Sequence, residues 1–169
     1  MTEREIQRAI MLWRQGRGLM APNINLAFGE ADFLLVTWAG LAYEYEIKIS
    51  RQDFKNDLRK DRHAAYAMMY QDKEPISSLV PNYFTYVIAA GVNVTADDIP
   101  AHAGAYFVGP ENYNFDGPYN PFTVIKPQTR MHPEKLDWTL FMAKSLSYRY
   151  CTQYMRERST YCHHCGKTL

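Results

Sequence analysis

Residues 41–49 alternate without a break: Tyr43, Tyr45, Ile47 and Ile49 at the odd positions, Glu44, Glu46 and Lys48 between them. Period two over that length predicts a β-strand, because successive side chains of an extended chain point to opposite faces. One face is apolar and anchors in a core. The other carries Glu46 and Lys48 side by side, since residues i and i+2 of a strand share a face. A capping signature, Ser50-Arg51-Gln52-Asp53, follows directly, so the strand feeds straight into a helix. A chain built around this junction needs a sheet with helices packed on it.

The remaining pattern supplies those parts. Thr2-Glu3-Arg4-Glu5 reads as a capping box, and Ile6, Ile10 and Trp13 recur at helical spacing, which predicts a helix over 3–15 ended by Gly16 and Gly18. Residues 31–37 are apolar and β-rich and lead into 41–49 through a Trp38-Ala39-Gly40 turn. A helix over 51–70 carries Phe54, Leu58, Ala65 and Met69 on its apolar side. Pro75 and Pro81 bracket a loop, and 83–90 is nearly continuous in apolar residues, as a strand covered on both faces would be. Short strands are expected at 105–108 and 122–126, a loop over 109–121, and a last helix over 138–156. The predicted order is α-β-β-α-β-β-β-α, an α/β fold with a mixed sheet flanked by helices over 1–150, and residues 151–169 form a basic Cys/His tail.

The chain has 169 residues, 47% hydrophobic and 22% charged, which suits one globular domain with a small appendage. Three cysteines are too few, and odd in number, for a disulfide framework. No apolar run approaches the ~20 residues of a membrane-spanning helix. The charged start has no apolar segment behind it, so no secretory signal is expected and a soluble, reduced, cytoplasmic protein is. The net charge of +1 hides a gradient. Residues 71–143 hold four basic and eight acidic side chains, whereas 144–169 hold five basic ones and a single acid, Glu157. A basic tail permits a polyanion partner without demanding one.

The chemistry centres on Glu46-Ile47-Lys48. If the strands pair through the Trp38-Ala39-Gly40 turn, Asp32 approaches Glu46, and two carboxylates with a lysine form a hard-oxygen site suited to a divalent ion. Mg²⁺ there would bind a phosphate oxygen as well, stabilise transition-state charge and acidify a water, with Lys48 orienting that water or contacting the phosphate. The triplet alone carries little. Asp53-Phe54-Lys55 has the same form but lies on a predicted helix, where i and i+2 do not share a face, and a solvated cross-strand ion pair would explain Glu46 and Lys48 equally well.

Glu30-Ala31-Asp32-Phe33-Leu34-Leu35-Val36, then Tyr45-Glu46-Ile47-Lys48-Ile49-Ser50, then Arg51-Gln52-Asp53-Phe54 with Asp57, resembles the PD-(D/E)XK nuclease superfamily and, within it, the MmcB-like branch of phage and bacterial DNA-repair proteins. Pro81-Asn82-Tyr83-Phe84-Thr85-Tyr86-Val87, Ile99-Pro100 and Ala103-Gly104-Ala105-Tyr106-Phe107-Val108 fit too, so the resemblance covers roughly residues 2–150. It implies a restriction-endonuclease-like sheet, Asp32 and Glu46 as ligands of Mg²⁺ (Mn²⁺ substituting), Lys48 as the catalytic lysine, and an acid from the first helix, best matched by Glu5 with Glu3 behind it. It departs from the superfamily pattern at Ala31, which stands where proline is usual before the aspartate. Implied with it are hydrolysis of a DNA phosphodiester leaving a 5′-phosphate, and a homodimer, since many nucleases of the superfamily cut duplex DNA as dimers.

Two further features bear on partners. Arg51, Lys55, Arg59 and Arg62 fall on one stripe of the helix expected over 51–70 and, with Ser50 at its N-terminus, could follow a DNA backbone. Asp53, Asp57 and Asp61 form a parallel acidic stripe that could simply pair with them. In the tail, Cys162 and Cys165 form a C-x-x-C turn that Cys151 and His164 or His163 could complete as a Zn²⁺ site; free thiols on a frayed tail are the plainer alternative. His102 and His132 sit in expected loops with no visible partner. The sequence therefore carries a Mg²⁺-dependent deoxyribonuclease as its leading expectation. The rivals are a non-cleaving DNA-binding repair or replication module and an interaction protein docking through a zinc tail.

Overall fold

The fold is that of a computed structural model, which describes residues 1–109 and 120–136. Helix α1 (Glu3–Trp13) opens on the capping box: Thr2 Oγ1 accepts from the Glu5 backbone, and Glu5 Oε2 accepts from the Thr2 backbone at 2.7 Å. Three antiparallel strands follow, β1 (Gly18–Leu26), β2 (Gly29–Thr37) and β3 (Ala42–Lys48). Then come α2 (Arg51–Asp57), α3 (Arg62–Asp72), β4 (Tyr83–Ala89), β5 (Ala103–Val108) and β6 (Phe122–Lys126). The six strands lie in the order β1-β2-β3-β4-β5-β6. The pairs β3–β4 and β4–β5 are parallel and β5–β6 is antiparallel, so the sheet is mixed. No helix among the described residues is long and apolar enough to cross a membrane.

The faces follow from the alternation. Tyr45 and Ile47 meet Phe33, Leu35 and Val87 under Ile6, Ala9 and Ile10 of α1. On the opposite face, Phe54 of α2 and Tyr66 and Met69 of α3 pack on Phe84, Tyr86, Ile88, Ala103 and Ala105. Glu44, Glu46 and Lys48 point to this second face and are buried beneath α2 and α3 rather than solvated. Gly40, at φ +81°, closes the β2–β3 turn where an L side chain would be strained.

Three expectations are corrected. The first is β1, which the sequence hides. Gly18, Pro22 and Asn23 interrupt its pattern, and Asn23 has a left-handed φ of 49°. An edge strand tolerates a proline that a central strand would not. Second, the helix expected over 51–70 is two helices parted at 58–61. In one continuous helix, residues five apart point about 140° away from each other. The break lets both Asp57 and Arg62 turn into the sheet and bond each other. Third, the observed order runs α-β-β-β-α-α-β-β-β over the described residues. The helix expected over 138–156 and the tail residues Cys151, Cys162, His163, His164 and Cys165 lie outside them.

Candidate functional site

The site lies where β2 and β3 part. Their pairing ends at Phe33↔Tyr45, and one residue further on the Asp32 carboxylate enters the gap, its Oδ2 accepting from the Ile47 backbone N–H at 2.7 Å. Burial and the neighbouring Glu46 charge push the Asp32 carboxyl up to about 7, against the opposing pull of the Ile47 bond and Lys48. Among the described residues no cation lies within ion-pair distance of Asp32.

Beside it, three carboxylates face three cations. Glu46 Oε1 accepts from Lys48 Nζ at 2.9 Å and from Arg62 Nη2 at 2.6 Å, and Lys60 Nζ lies 3.4 Å away. Glu46 Oε2 is buried with no hydrogen-bond partner among the described residues. Asp57 Oδ1 takes Lys60 at 2.7 Å and Arg62; its Oδ2 takes His63 Nε2 at 3.0 Å and the Tyr86 hydroxyl at 2.8 Å. Burial alone would raise the Asp57 carboxyl, but His63, Lys48, Lys60 and Arg62 together hold it well below the usual carboxylate range. Glu44 bonds Arg62 at 3.3 Å and accepts from Tyr66 at 2.6 Å, yet burial still pushes it up to about 7. Glu44, Glu46 and Asp57 thus share Lys48, Lys60 and Arg62, with Asp53 at the edge of the cluster, and Asp32 stands beside it without an ion pair among the described residues.

The expected residues separate accordingly. Lys48 bonds Glu46, and Asp32 lies near enough for both charges to act on it; Lys48 is buried, its ammonium also 3.6 Å from Asp57 and 3.7 Å from Asp53. Glu5 is exposed and its carboxylate closes the capping box. On α1, the Glu3 charge adds weakly to those that raise the Asp32 carboxyl. Gln7 Nε2 lies 2.8 Å from Asn23 Oδ1, 2.9 Å from the Asp32 carbonyl and 3.3 Å from Glu3 Oε1, so it anchors α1 to this end of β2. Ser50 caps α2, accepting from the Asp53 backbone. The basic stripe does not exist as such. Arg51 forms a bidentate pair with Asp98, Lys55 and Arg59 are exposed, and Arg62 is buried at the centre of the cluster, away from any surface a DNA backbone could follow. Sequence reasoning missed Glu44, Lys60 and His63. The Glu44-x-Glu46 spacing was the available signal for the first, whereas His63 depends on the break after Asp57 and Lys60 on a tertiary contact with Glu46.

His102 and His132 do have partners. His132 Nε2 lies 3.0 Å from the Pro81 carbonyl. His102 Nε2 lies 3.2 Å from His63 Nδ1, and burial, with His63 adding to it, pushes His102 down to about 4 from its ordinary 6.5. Below pH 6.5 the unfolded chain takes up a proton that the folded chain refuses, so stability should fall as pH drops from about 6.5 to about 4. His102→Gln should flatten that slope in urea midpoints compared across this window. An undiminished slope in the variant would assign the acid sensitivity to other groups.

Among the described residues, no group of three or more His, Cys, Asp or Glu side chains is arranged to hold a metal. The pair Asp32 and Glu46 still suits a hard divalent ion. One carboxylate lacks a cation, the other has an unsatisfied buried oxygen, and Mg²⁺ commonly keeps several waters and takes only one or two protein carboxylates.

No protein-family model matches the chain, and no curated protein matches it. A solved structure of a protein of unknown function from Silicibacter pomeroyi is similar, with a TM-score of 0.53 at 14% identity, covering 95% of this chain and 92% of that one. At that identity the likeness extends to the fold alone.

Proposed function

We propose that the chain is a divalent-metal-dependent phosphodiesterase of the PD-(D/E)XK type, with a restriction-endonuclease-like sheet, acting on DNA in the cytoplasm of a bacterium or a phage-infected host. The observation that carries the reading is the Asp32–Glu46 pair: two partly or fully buried carboxylates that repel each other beside a lysine, with no cation paired to Asp32 among the described residues. Such a pair is costly unless something positive joins it. Mg²⁺, when bound, would neutralise charge developing on the phosphate and acidify a water. The chain's own part is positional. The Ile47 N–H fixes the Asp32 carboxylate, and Arg62 and Lys48 fix Glu46 through Oε1 so that Oε2 remains for the ion.

A second reading, a DNA-binding module that does not cut, draws on the burial of Lys48, whose ammonium is surrounded by Glu46, Asp53 and Asp57. Incubating the protein with single-stranded, duplex and branched DNA, in Mg²⁺ or EDTA, separates the two. The proposal expects cutting in Mg²⁺ that falls at least about 100-fold in Glu46→Gln, because even the outer partners of metal ligands matter 10–100-fold. Binding without metal-dependent cutting on any substrate would establish the second reading instead. Absence of DNA binding would overturn both.

A further inference from the structure

Lys48 is the lysine the sequence singles out, but its side chain is 4% exposed and its ammonium is surrounded by carboxylates. Lys60 reaches the same Glu46 oxygen from the solvent side, with 52% of its side chain exposed. It sits in the break between α2 and α3, where its ammonium bridges Glu46 at 3.4 Å and Asp57 at 2.7 Å. We infer that Lys60, rather than Lys48, is the side chain that meets a backbone phosphate of the nucleic acid, an assignment that rests on the reading of the site given above.

The hydrogen-bond inventory makes this possible. If Lys60 turns outward, Asp57 keeps Arg62 on Oδ1 and His63 and Tyr86 on Oδ2. Glu46 Oε1 likewise keeps Lys48 and Arg62. Neither carboxylate is orphaned, so Lys60 can exchange them for a phosphate while the buried cluster stays intact. Lys48 has no such freedom. Its buried Nζ would have to leave Glu46 at 2.9 Å, with Asp57 and Asp53 also close around it. At i+3 from Asp57 the Lys60 side chain lies beside that carboxylate, and its half-exposed tip approaches Glu46 from the outer side of the cluster.

The test is the salt dependence of binding to a short fluorescent DNA, single-stranded and duplex, in EDTA, read by anisotropy between about 50 and about 200 mM KCl. Each phosphate neutralised contributes roughly one unit to the slope of log affinity against log salt. Lys60→Gln should lower that slope by about one unit. Lys60→Arg should restore it, and Arg8→Gln, an exposed position on α1, should leave it unchanged. An unchanged slope in Lys60→Gln, or an equal drop in Arg8→Gln, would overturn the assignment while leaving the function proposal standing. Wild-type protein that binds neither DNA would overturn the assignment together with that proposal.

Discussion

Arg62→Met is expected to lose about 3–5 kcal/mol of folding stability, the usual cost of removing one partner from a buried ion pair. Arg62 is buried and its two terminal nitrogens serve Glu44, Glu46 and Asp57. The methionine fills similar volume, so the loss is electrostatic rather than a cavity effect. Lys48 and Lys60 still reach Glu46 and Asp57, but among the described residues Glu44 pairs with no cation other than Arg62. With its cation gone, the Glu44 carboxyl, already pushed up to about 7 by burial, should rise further. A carboxyl raised in the folded state costs stability as pH rises from its unfolded value through its folded value, and costs nothing below both. The deficit of Arg62→Met should therefore be largest above pH 7 and smallest near pH 4, read as urea midpoints at each pH. A deficit under about 0.5 kcal/mol, the range of ordinary surface substitutions, would mean that the cluster does not hold these helices to the sheet.

Asp32→Asn should do the opposite and stabilise the fold at about pH 8. The Asp32 carboxyl is pushed up to about 7 from 3.8, burial leading and Glu46 adding to it. In the unfolded chain it ionises near its ordinary value, so stability falls as pH rises from about 4 to about 7, and the whole cost is present above that. A shift of this size corresponds to a few kcal/mol, roughly 1.4 per unit. Asparagine keeps an oxygen to accept from Ile47 N–H and removes the charge. The variant's advantage should vanish near pH 4, where the native carboxyl is neutral too. A variant less stable than wild type at about pH 8 would show that Asp32 is already compensated. Stabilisation by removing a charged residue is the signature of a group kept for binding rather than for folding.

Much of this arrangement is legible in the residues. Strict alternation around Glu46 located β3, the Ser50 cap located the start of α2, and the apolar run at 83–90 matched β4 to within a residue. These signals are local, set by chain periodicity and by backbone donors that need a cap. β1 was lost because an edge strand carries Pro22 and a left-handed Asn23, which read as punctuation. The break at 58–61 contains neither Gly nor Pro. Its cause is tertiary: Asp57 and Arg62 both turn toward buried partners on β3, and no local signal records that. The contact of Lys60 with Glu46 is tertiary and leaves no local record either, and the Glu5 carboxylate is found in the α1 cap.

If Asp32 and Glu46 share one cation, Mn²⁺ binding reports it without any substrate. Titrating Mn²⁺ into the protein and following the free ion by its electron paramagnetic resonance signal should give saturable binding to the wild type. Affinity should fall at least about tenfold in Asp32→Asn and in Glu46→Gln alike, in line with the loss seen when even the supporting partners of a metal site are removed. Equal binding by all three proteins, or none by the wild type, would contradict the account.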